Sequence, residues 1–154
     1  MAKPDWDEYF MNIAFAVKSR SSCLTRQVGA LLVKDRRIMA TGYNGTPIGI
    51  QNCNEGGCKR CSARMRNEIE AGKDIDKCAC SHAEENAIVQ AALHGASSKG
   101  SILYTTFTPC TTCAKMIINA GVKKVVGNDN YPDDLGRELL NQAGIELVVF
   151  KRKD

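Results

Sequence analysis

Eight cysteines in 154 residues constrain this chain more than any other feature of its sequence. Five of them lie between residues 45 and 81, in a stretch of glycines and polar residues where only a short helix, at about 62–71, is indicated. A loop of this length is rare in a compact domain unless something holds it together. Disulfides need an oxidising compartment, and the start of the chain, MAKPDWDEYF, lacks the basic end and apolar segment of a signal peptide. We therefore expect a cytoplasmic protein whose cysteines bind metal.

The composition is typical of one globular domain. With 44% hydrophobic and 25% charged residues, the chain is expected to form a single domain, 1–154, with a cysteine-rich zinc-binding insertion at about 45–81. It contains no apolar run of 18 residues, which argues against a membrane partner. The net charge of +4 has no run of like charges behind it, and thiolates on zinc would lower it, so we expect no nucleic-acid partner.

Hydrophobic periodicity and turn signals predict alternating helices and strands. A helix over 5–20, capped by Asp5, precedes two strands that form a hairpin across Asp35-Arg36. After the insertion, helices alternate with strands, which favours parallel crossovers and a three-layer α/β/α sandwich with a five-stranded mixed sheet. The predicted strands are 27–34, 37–44, 101–107, 123–128 and 145–150, and the later helices are 82–93, 109–120 and 133–143.

The stretch TPCTTC combines a strand end, a helix start and two thiols. Thr108 can cap this helix, Pro109 suits its first position, and Cys110 and Cys113 would then lie on one helix face. The positive end of the helix stabilises thiolates. By themselves the two cysteines fit a redox pair or half of a structural zinc site as well as they fit a catalytic zinc.

The stretch SHAEENA, which begins at Ser81, bears on that choice. His82 with Cys110 and Cys113 would give zinc three ligands and leave a fourth position for water, and Glu84 would then move the protons. The alternative is a capping box, in which Ser81 caps the helix and Glu84 binds back to its N–H. Residues two apart on a helix point in nearly opposite directions, so His82 and Glu84 can face one metal only if His82 lies at the helix entrance.

Two motifs together carry a family resemblance. HAE, residues 82–84, followed by PCTTC, residues 109–113, resembles the H-x-E…P-C-x-x-C signature of zinc-dependent nucleobase deaminases. Three further stretches, SSCLTRQVGALLVKDRRIMATGYNGTP, NCNEGGCKRC and CACSHAEENA, are similar to the cysteine-rich branch of the deoxycytidylate (dCMP) deaminase family, and AKMIINAGVKKVV continues the similarity. The resemblance runs from about Trp6 to Phe150 and implies a single deaminase domain with the cytidine deaminase-like fold.

The resemblance implies hydrolysis of dCMP to dUMP and ammonia, which supplies dUMP for thymidylate synthesis. In such a site His82, Cys110 and Cys113 hold the catalytic zinc, which activates water for attack at C4 of cytosine. Glu84 carries a proton to N3, and the amino group leaves as ammonia.

The resemblance also assigns residues to the nucleotide. Asn44 matches the position that binds the sugar hydroxyl, although spacing alone favours a simple Asn44-Gly45 turn. Arg26 and Tyr131 match positions near the phosphate and the ring; by residue type alone they fit a solvated arginine and a tyrosine at the edge of the core. Family members are often homohexamers that dCTP activates and dTTP inhibits, and Mg²⁺ would accompany a nucleotide triphosphate effector.

Six cysteines remain outside the catalytic motif: Cys23, Cys53, Cys58, Cys61, Cys78 and Cys80. By position in the family, Cys23, Cys53 and Cys80 hold a structural zinc, and the fourth ligand is open among the other three. Spacing permits a second arrangement, in which those three and one neighbour form a separate site, and six thiolates on two zincs would require sharing. We favour a single structural zinc.

Two other functions compete with dCMP deamination. A deaminase of tRNA adenosine or another base would share the motif, but the modest charge and the lack of a basic stretch interleaved with aromatic residues argue against it. A purely structural zinc module is the second alternative. Three ligands beside a well-placed acid argue against that module.

Overall fold

Five α-helices and five strands organise the chain in the computed structural model, which describes residues 2–128 and 134–152. Tyr131 lies outside the described residues. In chain order the elements are α1 Trp6–Lys18, β1 Gly29–Lys34, β2 Arg37–Tyr43, α2 Lys59–Met65, α3 Ala83–Leu93, β3 Ile102–Thr105, α4 Thr111–Asn119, β4 Lys124–Gly127, α5 Asp134–Gln142 and β5 Glu146–Val149.

The five strands form one mixed sheet in the order β2-β1-β3-β4-β5. β1 pairs antiparallel with both β2 and β3, and β3, β4 and β5 pair in parallel. Two antiparallel pairings in succession give β2 and β3 the same direction, so every strand that follows a helical crossover runs parallel to the strand before it. The hairpin is confirmed as well: Asp35 and Arg36 have φ of 51° and 59°, as a two-residue type I′ turn requires.

Helices cover both faces of the sheet, and the predicted three-layer sandwich is confirmed. Helix α1, whose first turn is capped by Asp5, buries one stripe against β1, β3 and β4. Helices α3, α4 and α5 bury theirs on the opposite face, around Leu32, Leu103 and Val125. Gly42 lets α3 lie close to β2, because a Cβ there would collide with the carbonyl oxygen of Ala83. The sheet thereby fixes where α3 begins.

The insertion has little regular structure. Helix α2 was predicted over 62–71; it begins three residues earlier and ends six residues earlier, close to Asn67, which adopts a left-handed conformation with φ of 58°. Gly45 and Ser81 pair in an antiparallel bridge at the base of the segment, with N–H···O distances of 3.2 and 2.8 Å. Neither this segment nor any other described part of the chain forms a helix with the length and apolar character needed to span a bilayer.

Candidate functional site

Two helix entrances bring three possible metal ligands together. His82 is the N-cap of α3, Cys110 is the N-cap of α4, and Cys113 is the third residue of α4. His82 Nδ1 lies 3.2 Å from Cys113 Sγ and 3.4 Å from Cys110 Sγ. A tetrahedral zinc with bonds of about 2.3 Å to sulfur and about 2.0 Å to nitrogen separates those atoms by about 3.5 Å. The donor set therefore fits zinc, with a fourth position left over.

The start of α4 differs from the sequence prediction. Thr108 and Pro109 were predicted as its cap and first residue, but both precede the helix, and Cys110 has the extended conformation of an N-cap with ψ of 170°. β3 ends at Thr105, two residues before the predicted end of this strand, and the chain stays non-helical until Cys110. Cys110 thus gains the freedom of a non-helical residue, and this lets its sulfur meet that of Cys113 across one turn.

The start of α3 also differs from the prediction. Ser81 was expected as the cap and Glu84 as its partner in the alternative capping box, but His82 is the N-cap and its N–H donates to Glu85 Oε1 at 3.0 Å. Ser81 lies one residue before the N-cap, and its N–H is not available to Glu84 because it donates to the carbonyl oxygen of Gly45 at 2.8 Å. Glu85 therefore supplies the carboxylate of the box. Glu84 is left for another role.

The three candidate ligands influence one another's proton affinity. A hydrogen bond from Cys113 lowers the pKa of Cys110 to about 4. The hydrogen bond between Cys110 and His82 raises the pKa of His82 to about 9. Since a metal ligand must give up its proton, zinc binding here would release protons, and zinc affinity should rise with pH.

Glu84 is a buried carboxyl group beside these ligands, with 5% of its surface exposed. Burial raises its pKa, as a group that must hold a proton near neutral pH requires. Thr105 Oγ1 lies 3.2 Å from Glu84 Oε1 and 2.9 Å from the carbonyl oxygen of Phe107. The hydroxyl can donate to the carboxylate, or it can donate to Phe107 and accept from the protonated acid. Thr105, which the sequence prediction missed, can therefore form a hydrogen bond with Glu84 in either protonation state of the carboxyl group.

A cavity of about 270 Å³ opens beside Glu84, His82 and Cys110. The side chains of Arg60 and Arg64 on α2, neither of which the sequence reasoning singled out, also line it. Their only sequence signal was two arginines four residues apart in the cysteine-rich insertion. The cavity thus joins the three-ligand centre to a cationic wall that the insertion supplies.

Asn44 lines the same cavity and is 8% exposed. Its Oδ1 accepts from Ser21 Oγ at 2.6 Å and from Val28 N at 2.8 Å, and its Nδ2 donates to the carbonyl oxygen of Arg26 at 2.6 Å. One Nδ2 hydrogen remains for a ligand. The simple turn is not found, since Gly45 is paired in the bridge to Ser81.

Two further groups face the cavity. The guanidinium of Arg26 lies over the ring of Phe107, 4.1 Å from its centre. Thr108 Oγ1 is buried and has no hydrogen-bond partner in residues 2–128 and 134–152. A buried hydroxyl on a cavity wall is unfavourable unless a ligand or water pairs with it. Thr108, predicted as a helix cap, lies before α4 and contributes to the cavity wall instead.

The other six cysteines converge in the insertion. Five of their side chains are buried, and Cys78 is half-buried. Their sulfur atoms fall into two sets of four that share Cys61 and Cys80; within each set all atoms lie within 4.8 Å of one another. The sets are Cys23, Cys53, Cys61 and Cys80, and Cys58, Cys61, Cys78 and Cys80.

Comparison with known proteins agrees with this geometry. A family model described as the cytidine and deoxycytidylate deaminase zinc-binding region matches residues 4–128. The chain belongs to this deaminase family. The deoxycytidylate deaminase of Schizosaccharomyces pombe is 44% identical over 149 residues, which are 96% of this chain and 45% of that protein. The deoxycytidylate deaminase of Mycobacterium phage D29 is 39% identical over 87% of this chain and 99% of its own length.

Solved structures show the same deaminase fold. The dCMP deaminase of cyanophage S-TIM5, crystallised with dCMP and dUMP, has a TM-score of 0.78 and 37% identity, and the match covers 97% of this chain and all of that one. The chain spans just under half the length of the two yeast relatives it matches, those of S. pombe and Saccharomyces cerevisiae.

Proposed function

We propose that this chain deaminates dCMP to dUMP with release of ammonia, and so supplies dUMP for thymidylate synthesis. The observation that carries the proposal is the buried Glu84 beside three convergent ligands at the wall of one cavity. Relatives that cover nearly the whole chain are named for this reaction, and one of them was crystallised with dCMP and dUMP.

His82, Cys110 and Cys113 would hold the catalytic zinc. Bound there, zinc would supply a Lewis acid that brings the pKa of a water molecule toward about 7. The protein supplies the remaining chemistry through Glu84, which accepts a proton and delivers one to N3 of the cytosine ring. Thr105 holds the carboxyl group in place through both protonation states.

The cavity offers complementary groups for a nucleoside monophosphate. The free Nδ2 hydrogen of Asn44 would donate to a sugar hydroxyl. Arg26, Arg60 and Arg64 face the same space and carry the positive charge that a 5′-phosphate needs. Because two of the three come from the insertion, that segment contributes directly to recognition of the phosphate. Tyr131 stays a prediction from the family resemblance.

A structural zinc in the insertion completes the proposal. Cys23, Cys53 and Cys80 were predicted as ligands, and geometry favours Cys61 as the fourth, since its sulfur lies 4.0 Å from that of Cys23 and belongs to the same set of four. Burial raises the pKa of Cys53. A cation would favour the thiolate of Cys53 and compensate its burial.

A substrate panel tests the proposed activity. Purified, zinc-loaded protein would be given dCMP, dCTP, CMP, deoxycytidine and a tRNA anticodon loop, with ammonia release as the common measurement. We expect dCMP to be the best substrate and deoxycytidine to be poor, because it lacks the phosphate that the arginines bind. Deamination of the tRNA loop but not of dCMP would refute the proposal.

Two further measurements test the expected assembly and regulation. We propose a homohexamer that dCTP with Mg²⁺ activates and dTTP inhibits, on the family resemblance alone. Light scattering gives the mass in solution, and the dCMP saturation curve is repeated with each triphosphate. A monomer whose saturation curve neither nucleotide changes would contradict this part of the proposal.

A further inference from the structure

We propose that the insertion holds two zinc ions rather than one, in a binuclear cluster of six thiolates bridged by Cys61 and Cys80. One ion would be bound by Cys23, Cys53 and the two bridging sulfurs, and the other by Cys58, Cys78 and the same two. The inference rests on the proposed structural zinc and extends it. It also reverses the single zinc that the sequence favoured, because only the fold shows that the two sets of four overlap.

The spacing of the sulfur atoms supports metal ligation on both sides of the cluster. In a tetrahedral zinc site with Zn–S bonds of about 2.3 Å, neighbouring sulfurs lie about 3.8 Å apart. The Sγ atoms of Cys61 and Cys78 are 3.8 Å apart, and those of Cys58 and Cys78 are 3.9 Å apart. On the first side Cys23 and Cys61 are 4.0 Å apart. A disulfide would need about 2.0 Å, so neither side is a bonded pair.

A single zinc leaves two thiols without a role. If the first set alone bound metal, Cys58 would be fully buried beside Cys78 with nothing to explain why both sulfurs face Cys61. Cys58 and Cys61 are the N-cap and third residue of α2, and Cys110 and Cys113 occupy the same positions in α4. This geometry turns both sulfurs of the pair toward one point.

Backbone donors support the thiolates on each side. The N–H of Leu24 donates to Cys53 Sγ at 3.5 Å, and the N–H of Ala79 donates to Cys58 Sγ at 3.3 Å. These two donors thus serve one non-bridging ligand of each proposed ion. Hydrogen bonds of this kind around ligating atoms orient them and tune the metal.

Charge does not oppose a second ion. Four thiolates and one Zn²⁺ carry a charge of about −2, and six thiolates with two Zn²⁺ carry the same. The second zinc therefore replaces two buried neutral thiols with ligands at no cost in net charge. Arg60 and Arg64 line the cavity that Cys78 and Cys80 also border, and so place positive charge nearby.

Counting zinc in a variant that lacks the catalytic site tests the proposal. The double variant Cys110→Ser, Cys113→Ser removes the catalytic ligands and leaves only the cluster to bind metal. Mass spectrometric metal analysis should find two zincs per folded chain. One zinc would overturn the binuclear cluster while keeping the proposed structural zinc, and none would overturn both. The dCMP assay on the wild type remains a separate test of the proposed activity.

A measurement on the wild-type protein guards against variants that fail to fold. Two zincs joined by two sulfurs with Zn–S bonds of about 2.3 Å lie about 3–4 Å apart. X-ray absorption should therefore show a zinc–zinc distance in that range. After exchange with ¹¹³Cd, the β-protons of Cys61 and Cys80 should couple to two metal nuclei and those of Cys53 to one. Absence of both signals from protein that holds its full zinc content would refute the proposal.

Discussion

The two metal-binding regions of this molecule are built in opposite ways. In the catalytic region, regular helices bring three ligands to the edge of a buried sheet, and a cavity opens beside them. In the insertion, loops and one short helix bring six sulfurs together, and the hydrophobic cluster there consists of cysteines with Leu24 as the one other apolar partner in the described residues. The fold positions the first site, whereas the second region has little core of its own, and the proposed zinc would hold it together. Under the proposals above, one ion would serve chemistry and two would maintain the shape of the cavity wall.

The largest expected effect separates activity from stability at the catalytic centre. Cys110→Ser should lower kcat/KM for dCMP by about 10⁴-fold or more, because losing the metal removes several kcal/mol of transition-state stabilisation. The melting temperature should change little, since α3 and α4 are anchored by the core around Leu103. Thermal unfolding and initial rates on the same sample check this. A large fall in the melting temperature of Cys110→Ser would mean that the catalytic region, like the insertion, depends on metal for its stability.

The next variant, in the insertion, should lower stability more than it lowers turnover. Cys53→Ala should destabilise the protein by about 4 kcal/mol, equivalent to a fall of about 10 °C in melting temperature, because the loss of a structural metal is among the most costly single changes. KM for dCMP should also rise, since Arg60 and Arg64 depend on the insertion for their positions. The exposed neighbour substitution Asn54→Ala is the matched control. An unchanged melting temperature and KM in Cys53→Ala would contradict the account.

A smaller effect is expected at Thr105. Thr105→Val keeps the shape of the side chain and removes the hydroxyl that Glu84 uses, so kcat should fall about tenfold while the zinc content is unchanged. Thr106→Val is the control: its hydroxyl accepts from Gly29 N at 3.1 Å, so this variant should lose stability and keep kcat. Equal losses of kcat in the two variants would show that the Thr105 hydroxyl has no specific role in the site.

The smallest effect lies on the far face of the sheet, away from both metal regions. Burial and the hydrogen bond that Tyr104 donates to Asp7 at 2.8 Å raise the pKa of Tyr104. This stabilisation is therefore complete below the unfolded pKa of about 10 and is lost as pH rises through the folded pKa. Tyr104→Phe should lower the free energy of unfolding by about 1 kcal/mol at pH 7 and remove the extra loss above pH 10. Urea titrations at pH 7 and above pH 10 measure the free energy of unfolding of both proteins. The dCMP turnover of the variant at pH 7 should not change.

The sequence predicts the regular parts of this molecule well and the junctions poorly. The order of helices and strands along the chain follows from hydrophobic periodicity, which is a local property. The bridge between Gly45 and Ser81 is a long-range contact, and it moved the cap of α3 to His82 and the capping carboxylate to Glu85. The spacing of residues along the sequence cannot predict that contact.

The same limit explains what the sequence could and could not say about the metal ligands. The catalytic candidates form short motifs at helix starts, so pattern alone brings them together. The sharing of Cys61 and Cys80 depends on how α2 folds back onto the loop after α1, which residue spacing cannot specify. Thr105, Arg60 and Arg64 were missed because each has an ordinary residue type in an ordinary pattern. Only the fold shows that Arg60 and Arg64 line the cavity and that Thr105 contacts Glu84.

The most direct test of the central claim is a comparison of wild-type protein with Glu84→Gln, in which dUMP formation, ammonia release and zinc content are measured on the same samples. The substitution keeps the size of the buried side chain and removes its ability to carry a proton. We expect one ammonia per dUMP in the wild type, a fall in kcat of about 10²–10⁴-fold in the variant, and equal zinc content in both. Undiminished dCMP turnover by Glu84→Gln with zinc retained would contradict it.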